Sequence, residues 1–452
     1  MADKVLVAGA GKSGIAAAKL LTGLGGEVIL YDKNETLKKH VVADNFTDEE
    51  LEKIFFKFGT LKKTDVADIK LCIISPGISL EEDFVYMLDK SNIQIWSEIQ
   101  LGYKAAKGKL IAITGTNGKT TTTALTGEIM HAVYEETFVA GNIGFPYTLT
   151  AADTTDNSVT VLEVSSFQLE TIIDFKPHIS AILNITPDHL NRHHTMENYI
   201  MIKEEIAKNQ TEEDFCVLNY DDEILREFGK SDRLKAKAVF FSSKEILDEG
   251  VYIKNGTIFV KDEKGETEII KTSELNILGT HNHENVMAAI AIARCMKIPN
   301  DIIKRVCSQF QAVEHRIEFV TEKHGIKYFN DSKGTNPEAS IQAVKAMPGP
   351  VILIAGGYDK GASYDELAKL FKGKVRYLVL MGQTKDDIAE CARKYEFNDI
   401  MYVENMHEAV KVCASYAGPG DYVLLSPACA SWGMFKDYEE RGREFKKEVL
   451  AL

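Results

Sequence analysis

LIAITGTNGKTTTT, residues 110–123, runs from an apolar strand through a glycine turn into a segment suited to a helix. Glycines at 115 and 118 let backbone N–H groups turn toward an anion, and the helix start adds partial positive charge at the same place. Gly115, Thr116, Asn117 and Gly118 therefore read as a phosphate cradle. Lys119 is expected to reach the outer phosphates, and Thr120, followed by Thr121, to offer a hydroxyl to Mg²⁺. An ordinary strand-to-helix turn is the plainer alternative, and the Gly-Lys-Thr run directly after an apolar strand argues against it. The general form G-x-x-x-x-G-K-[ST] needs a glycine where this chain has Ile113, so the loop is a shorter variant.

On both sides of this loop, apolar runs alternate with helical patterns, at residues 4–8, 27–31, 71–75, 160–163, 179–184, 351–355, 376–381 and 422–426. Several are apolar at consecutive positions, as in strands covered on both faces, which predicts an α/β fold with mostly parallel sheets. Fresh strand–loop–helix units open at Val5, Leu110 and near Tyr328, and 452 residues suit three domains. The expected division is residues 1–106, Rossmann-like; 107–312, central and P-loop ATPase-like; and 313–452, again Rossmann-like. Turn-rich residues 239–270 read as antiparallel hairpins inserted in the central domain.

Composition narrows the function. Hydrophobic residues make up 45% and charged residues 27%, as in soluble globular chains. No apolar run is long enough to span a membrane, and MADKVLVAGAGKSG lacks the basic start and cleavage site of a signal peptide. Lys plus Arg is 53 against 67 Asp plus Glu, a net charge of −14, which argues against nucleic-acid binding. It does not exclude small anionic substrates, because a local cradle overrides global charge. Seven scattered cysteines without a C-x-x-C pair suit a reducing cytoplasm rather than disulfides or zinc.

Two further stretches carry chemistry. GAGKSG, residues 9–14, fits G-x-G-x-x-G after a strand, with Asp32 about twenty residues on. Any nucleotide diphosphate suits a helix N-terminus of this kind, a nicotinamide dinucleotide and a UDP-sugar alike, and close helix–strand packing explains the glycines equally. Glu163 closes an apolar strand, so its carboxylate emerges at the carboxyl edge where α/β sheets bind ligands, and suits Mg²⁺ near the phosphates. In ILNITPDHLNRHH, residues 182–194, His189 is expected beside that metal, with His193 and His194 at the surface. No cysteine or H-E-x-x-H pattern supports zinc there. Taken alone, Lys203 reads as one more exposed lysine.

Taken together with SPGI (75–78), GNIG (141–144), LEVSSFQLE (162–170), GTHNHEN (279–285), EHRIE (314–318), NDSKGTN (330–336), GGYDKG (356–361) and LLSPACASWGMFKDYEERG (424–442), these stretches resemble the Mur ligase family over essentially the whole chain. The resemblance implies an ATP-dependent carboxylate–amine ligase of bacterial peptidoglycan precursor synthesis. Its DSKGTN and SPACAS elements point to the branch that adds D-glutamate to UDP-N-acetylmuramoyl-L-alanine through an acyl phosphate. It also implies a cytoplasmic monomer that inserts in no membrane. Rival readings are a ligase for another amino acid, a folylpolyglutamate synthetase, a nicotinamide oxidoreductase and a non-catalytic nucleotide-gated protein.

Residue roles follow from the resemblance. Lys119, Thr120, Asn142 and Glu163 are expected at the ATP phosphates and Mg²⁺, Asn285 at adenine, and Arg316 and Asp331 at phosphate and ribose. Lys333, Thr335, Lys360, Ser431, Trp432 and Tyr438 are expected to line the D-glutamate pocket, with Lys333 also a catalytic candidate. Lys12, Ser13, Asp32, Lys33 and Asn34 are expected around the uridine diphosphate, and Gly77 near the sugar. Lys203 is expected to be carbamylated by CO₂ and to hold a second Mg²⁺ with His189, since a carbamate presents anionic oxygens where an ammonium repels the metal.

Overall fold

The computed structural model describes residues 4–359 and 361–452. The chain divides into two compact units, Met1–Ile269 with Asn285–Val306, and Ile270–Glu284 with Cys307–Leu452. Its three sheets are mostly parallel, as the consecutive apolar runs require.

The first unit holds two of them. Strands β1 (Lys4–Ala8), β2 (Glu27–Asp32), β3 (Ile54–Phe58), β4 (Leu71–Ile74) and β5 (Gln94–Ser97) lie in the order β3-β2-β1-β4-β5, all parallel. The order reverses between β1 and β4, the place where open α/β sheets bind ligands. There the glycine loop after β1 meets the turn after β4, with Ser75 N–H donating to the Ala8 carbonyl at 3.0 Å. A Cβ on Gly14 would lie 1.7 Å from the Gly9 oxygen, so glycine is what lets helix Lys12–Gly23 rest on that loop.

The second sheet contains β6 (Lys109–Thr114), β7 (Thr137–Gly141), β8 (Val159–Glu163), β9 (Ile179–Ile182), β10 (Phe215–Asn219), β11 (Lys237–Ser242), β12 (Gly250–Lys254), β13 (Thr257–Asp262) and β14 (Gly265–Lys271). Its order is β14-β13-β12-β11-β10-β9-β6-β8-β7. Pairing is parallel from β7 to β12 and antiparallel between β12 and β13. The expected hairpins therefore begin at Gly250. Val239 belongs to β11, which pairs residue for residue with β10 and is parallel. The phosphate-loop strand β6 is central, and every residue after Lys109 in it is buried.

One apolar core joins these two sheets through helix Glu98–Ala105, whose Ile99 and Leu101 pack in the same cluster as Leu110, Tyr147 and Leu162. Glu98 is 1% exposed inside that junction. Its Oε1 accepts from Thr148 N–H at 2.6 Å and Thr148 Oγ1 at 2.7 Å, while Oε2 is buried without a partner.

The second unit contains β15 (Glu318–Lys323), β16 (Ile326–Asn330), β17 (Val351–Ala355), β18 (Val375–Leu380), β19 (Ile400–Tyr402) and β20 (Tyr422–Leu425), in the order β15-β16-β20-β17-β18-β19. Only β15 runs antiparallel. All five residues of β17 are buried, the pattern of a strand with helices on both faces.

Burial raises the Glu98 carboxyl above its ordinary value of 4.5, against the two bonds from Thr148. The fold therefore holds this proton more tightly than the unfolded chain does, and ionisation costs stability as pH rises past 4.5. Glu98→Gln keeps an acceptor and carries no charge. Its stability relative to the parent chain should improve in urea titrations as pH rises above 4.5 and level off once the folded parent's carboxyl has ionised. A pH-independent difference would contradict this account.

Candidate active site

The phosphate loop forms as the sequence requires. Gly118 has φ +87° and begins helix Lys119–His131, and a Cβ there would meet Asn285 Oδ1 at 2.2 Å. Lys119 Nζ lies 2.7 Å from the Gly115 carbonyl and 2.9 Å from that of Thr116. Thr120 and Thr121 are buried in the first helical turn.

A second segment, following β9, stitches the loop in place. Thr116 N–H donates to Asn184 O at 2.9 Å, and Asn117 N–H donates to Asn184 Oδ1 at 2.8 Å. Asn184 Nδ2 returns a bond to Asn117 O at 3.0 Å. Thr116 Oγ1 lies 3.2 Å from the Tyr199 hydroxyl. Asn184 sits in the NITPDH stretch and Tyr199 four residues before Lys203, yet neither drew a role from the sequence. A polar residue that bonds backbone rather than ligand leaves no spacing signature.

Lys203 is not the exposed lysine its sequence context suggests. It is 1% exposed, its Nζ is 2.9 Å from the Gly115 carbonyl, and it lies 4.8 Å from the centre of the Tyr199 ring. Helix Met196–Glu204 turns it inward beside Tyr199. Burial, and then the charge of Lys119, pull its ammonium well below the ordinary lysine range.

Glu163 is 1% exposed at the carboxyl end of β8, opposite Gly141 on β7 and Ile113 on β6. Its Oε1 accepts from Asn142 Nδ2 at 2.8 Å, so the structure brings those two residues together. Its Oε2 is buried without a hydrogen-bond partner. A carboxylate oxygen in that position fits a cation. Asn285 is placed against the loop, with Oδ1 3.3 Å from the Thr122 hydroxyl.

His189 and His194 both have positive φ, 54° and 66°, on either side of the one-turn helix Leu190–His193. The His189 ring lies edge-on to Phe167 at 4.8 Å. His194 is exposed as expected. His193 is not: it is 3% exposed, with Nε2 3.0 Å from Ser166 Oγ and its ring against Phe167 and Tyr199. Burial holds its imidazole down to about 4, so it stays neutral. The turn that directs His189 outward directs His193 inward.

In the first sheet, Asp32 accepts from Ala10 N–H and Asn34 N–H, both at 2.9 Å, and so shapes the glycine loop directly. Lys12 and Ser13 begin the helix above it. Lys33 pairs with Glu82 at 2.5 Å. Gly77 is exposed, and nothing lies within 4 Å of a Cβ built there.

In the second unit, the segments after β16, β17 and β20 gather at one carboxyl edge. Ala428 N–H donates to Gly334 O at 3.0 Å, and Tyr358 N–H to Ala430 O at 2.9 Å. Lys333 Nζ stands 5.3 Å from the Tyr438 ring centre, Ser431 is buried, and Trp432 is exposed with its ring 5.5 Å from Tyr358. Thr335 N–H donates to Lys333 O at 2.9 Å. Lys360 lies outside the described residues. Asp331 is 4% exposed and accepts from Ser426 Oγ at 2.7 Å, and burial lifts its carboxyl to about 7. Arg316 has a buried Nε without a hydrogen-bond partner, a donor suited to an anion. Glu314, His315 and Glu318 lie close enough to hold a metal, but Lys446 Nζ already sits 3.0 Å and 2.6 Å from the two acids.

Sequence reasoning missed Arg441. It is 1% exposed, with Nε 3.0 Å from Ser332 Oγ, Nη2 2.7 Å from Ser332 O and Nη1 3.1 Å from Cys429 O. One guanidinium thus ties the DSKGTN segment to the SPACAS segment.

The three domain descriptions of one family match in chain order. Residues 3–97 match the Mur ligase MurD-like N-terminal domain, 113–293 the Mur ligase middle domain, and 315–429 the Mur ligase glutamate ligase domain. The chain is 51% identical over 452 residues to the UDP-N-acetylmuramoylalanine–D-glutamate ligase of Lachnoclostridium phytofermentans, covering 100% of this chain and 99% of that one. It is 46% identical over 450 residues to the enzyme of the same name from Clostridioides difficile, covering 99% and 98%. Among solved structures, the MurF ligase of Thermotoga maritima in complex with ADP superposes with a TM-score of 0.63 at 19% identity, over 94% of this chain and 95% of that one. A pseudomurein peptide ligase type C of Methanothermus fervidus gives 0.59 at 19%, over 99% of each. These two show the shared fold. Among the described residues no helix is long and apolar enough to cross a membrane.

Arg441→Met should strand two carbonyls and a hydroxyl in the core, costing about 3 kcal/mol of stability. Guanidinium chloride unfolding measures this. An unchanged midpoint would show that the clamp carries no weight.

Proposed function

The chain belongs to the Mur ligase family, and we propose that it uses ATP to join D-glutamate to the carboxylate of UDP-N-acetylmuramoyl-L-alanine in bacterial peptidoglycan synthesis. The observation that carries this reading is the buried Glu163 carboxylate, one oxygen held by Asn142 and the other unpartnered, on the sheet edge that also presents the phosphate loop.

The γ-phosphoryl group passes from ATP to a carboxylate oxygen of the nucleotide-sugar, giving an acyl phosphate and ADP. The D-glutamate amine attacks the acyl carbon, phosphate departs with the former carboxylate oxygen, and the nitrogen loses a proton. Phosphorylation is needed because a free carboxylate is a poor electrophile. The helix start at Gly118, with the N–H groups of its first turn, and the Lys119 ammonium stabilise the phosphates during transfer. Thr120, Glu163 and His189 supply a hydroxyl, a carboxylate and an imidazole for Mg²⁺, which when bound neutralises phosphate charge. Asn142 holds Glu163 in orientation.

Lys203 becomes a metal-binding group by carbamylation: its neutral amine adds to CO₂ and releases a proton, leaving an anionic carbamate. Lys119 and Lys203 both approach the Gly115 carbonyl, and burial beside the Lys119 charge favours the neutral Lys203 amine that this step needs. The carbamate of Lys203 and the imidazole of His189 would be the residues to hold a second Mg²⁺, whose charge would further offset that of the phosphates.

We assign residues 1–106 to the UDP-sugar, 107–312 to ATP and 313–452 to D-glutamate. Lys12, Ser13 and Gly77 face the nucleotide-sugar, with Asp32 and Asn34 shaping the loop. Asn285 takes the adenine side of ATP. Lys333, Thr335, Ser431 and Tyr438 meet the dicarboxylate amino acid with cations, hydroxyls and a ring, while Arg316 and Asp331 serve phosphate and ribose. The site is that of a monomer in the cytoplasm.

Phosphate release should require ATP, Mg²⁺, the nucleotide-sugar and D-glutamate together, with L-glutamate inactive. Turnover with another amino acid alone would keep the ligase and discard the substrate. Lys119→Ala and Glu163→Gln should each lower kcat at least about 100-fold. ¹³C-bicarbonate should give a trapped carbamate signal that Lys203→Ala abolishes. A signal that persists in that variant would refute carbamylation at Lys203.

A further inference from the structure

We propose that Arg192 is a positioning residue that sets the sugar-side turn of residues 75–78 against the helical turn carrying His189. The inference rests on the reading above, in which Gly77 meets the sugar and His189 the metal.

Arg192 uses its whole fork. Nε donates to Glu170 Oε1 at 3.0 Å, Nη2 donates to Glu170 Oε2, and Nη1 donates to the Pro76 carbonyl at 2.9 Å. Pro76 belongs to the turn after β4 in the first sheet, and Glu170 and Arg192 to segments of the second. The guanidinium carbon lies 4.3 Å from the centre of the Phe167 ring, and the same ring supports His189 at 4.8 Å and His193 at 5.4 Å. One planar cation therefore touches the residue beside Gly77 and the ring on which His189 rests.

Alternative explanations are weaker. The Arg192 and Glu170 side chains are 13% and 9% exposed, so this is no solvated ion pair. The pair is neutral as a whole, so its contribution is geometric rather than electrostatic. Beside it the two sheets' segments stand apart around a cleft of about 280 Å³, with Ser79, Leu80 and Glu81 on one side and Asn198, Met201 and Ile202 on the other. The His194–Glu81 pair at 2.8 Å also bridges that cleft, but both of its side chains are more than half exposed and it binds loosely. The segment being held also needs holding: its one-turn helix is flanked by two non-glycine residues at positive φ. Lysine cannot replace the arginine, because a point ammonium cannot satisfy both carboxylate oxygens and a carbonyl on a third side.

The test is calorimetric titration of ADP and of UDP-N-acetylmuramoyl-L-alanine, with initial-rate kinetics, on Arg192→Lys, Glu170→Gln and Gly77→Val. Arg192→Lys should bind the nucleotide-sugar about tenfold more weakly and bind ADP as the parent does. KM for the nucleotide-sugar should rise by the same factor while KM for ATP holds. Glu170→Gln, which keeps one acceptor and tolerates folding differently, should give the same split. Equal losses for both ligands would mark a general structural role and overturn the inference, as would no loss for either. Gly77→Val isolates the reading beneath it: undiminished nucleotide-sugar binding there would overturn the sugar assignment itself, whatever Arg192→Lys does.

Discussion

Lys119 and Lys203 direct their side-chain nitrogens at one oxygen, the carbonyl of Gly115. Much of the site depends on that arrangement. The N–H groups of Thr116 and Asn117, the next two residues, donate to Asn184. Lys119 arrives from the helix that follows the loop, and Lys203 from a helix that places it 88 positions beyond Gly115. Bringing the second there requires burying an amine beside another cation. The Tyr199 ring and the carbonyl compensate in part, and the amine's own acidity rises. The cost is the kind that functional sites retain.

The same loop transmits position outward. Asn184 bonds Asn117 in both directions and accepts from Thr116, so the segment after β9 moves with the loop. That segment continues into His189 and Arg192, whose guanidinium reaches the turn beside Gly77 in the first sheet. In the second unit Arg441 plays a comparable part, joining the loops that follow β16 and β20. Both arginines bond backbone carbonyls and make multiple directed contacts, which suits a planar five-donor group.

The sequence made the strands and loops legible because their signals are local. The apolar runs at residues 4–8 and 351–355 coincide with β1 and β17, and the glycine loops fall where turns demand positive φ. Glu163 was legible because it ends a buried strand. Other residues were not. Lys203, His193, Arg192 and Arg441 look like ordinary surface residues in sequence, since burial of a polar side chain is decided by partners far along the chain. Arg192 and Pro76 are 116 positions apart, and Arg441 and Ser332 are 109 apart. The family resemblance supplied Lys203, but not the carbonyl that holds it. Val239 misled in the other direction: turn-rich surroundings suggested a hairpin, whereas full pairing with β10 made its strand parallel.

The central claim is that carboxylate activation by phosphorylation precedes amide formation. The most direct measurement uses UDP-N-acetylmuramoyl-L-alanine labelled with ¹⁸O in its carboxylate, with the released phosphate read by ³¹P NMR. The account predicts that each phosphate carries one oxygen from the carboxylate, and that this appears only when D-glutamate is present to complete the ligation. Phosphate released with D-glutamate but free of ¹⁸O would contradict an acyl phosphate and the role given to this site.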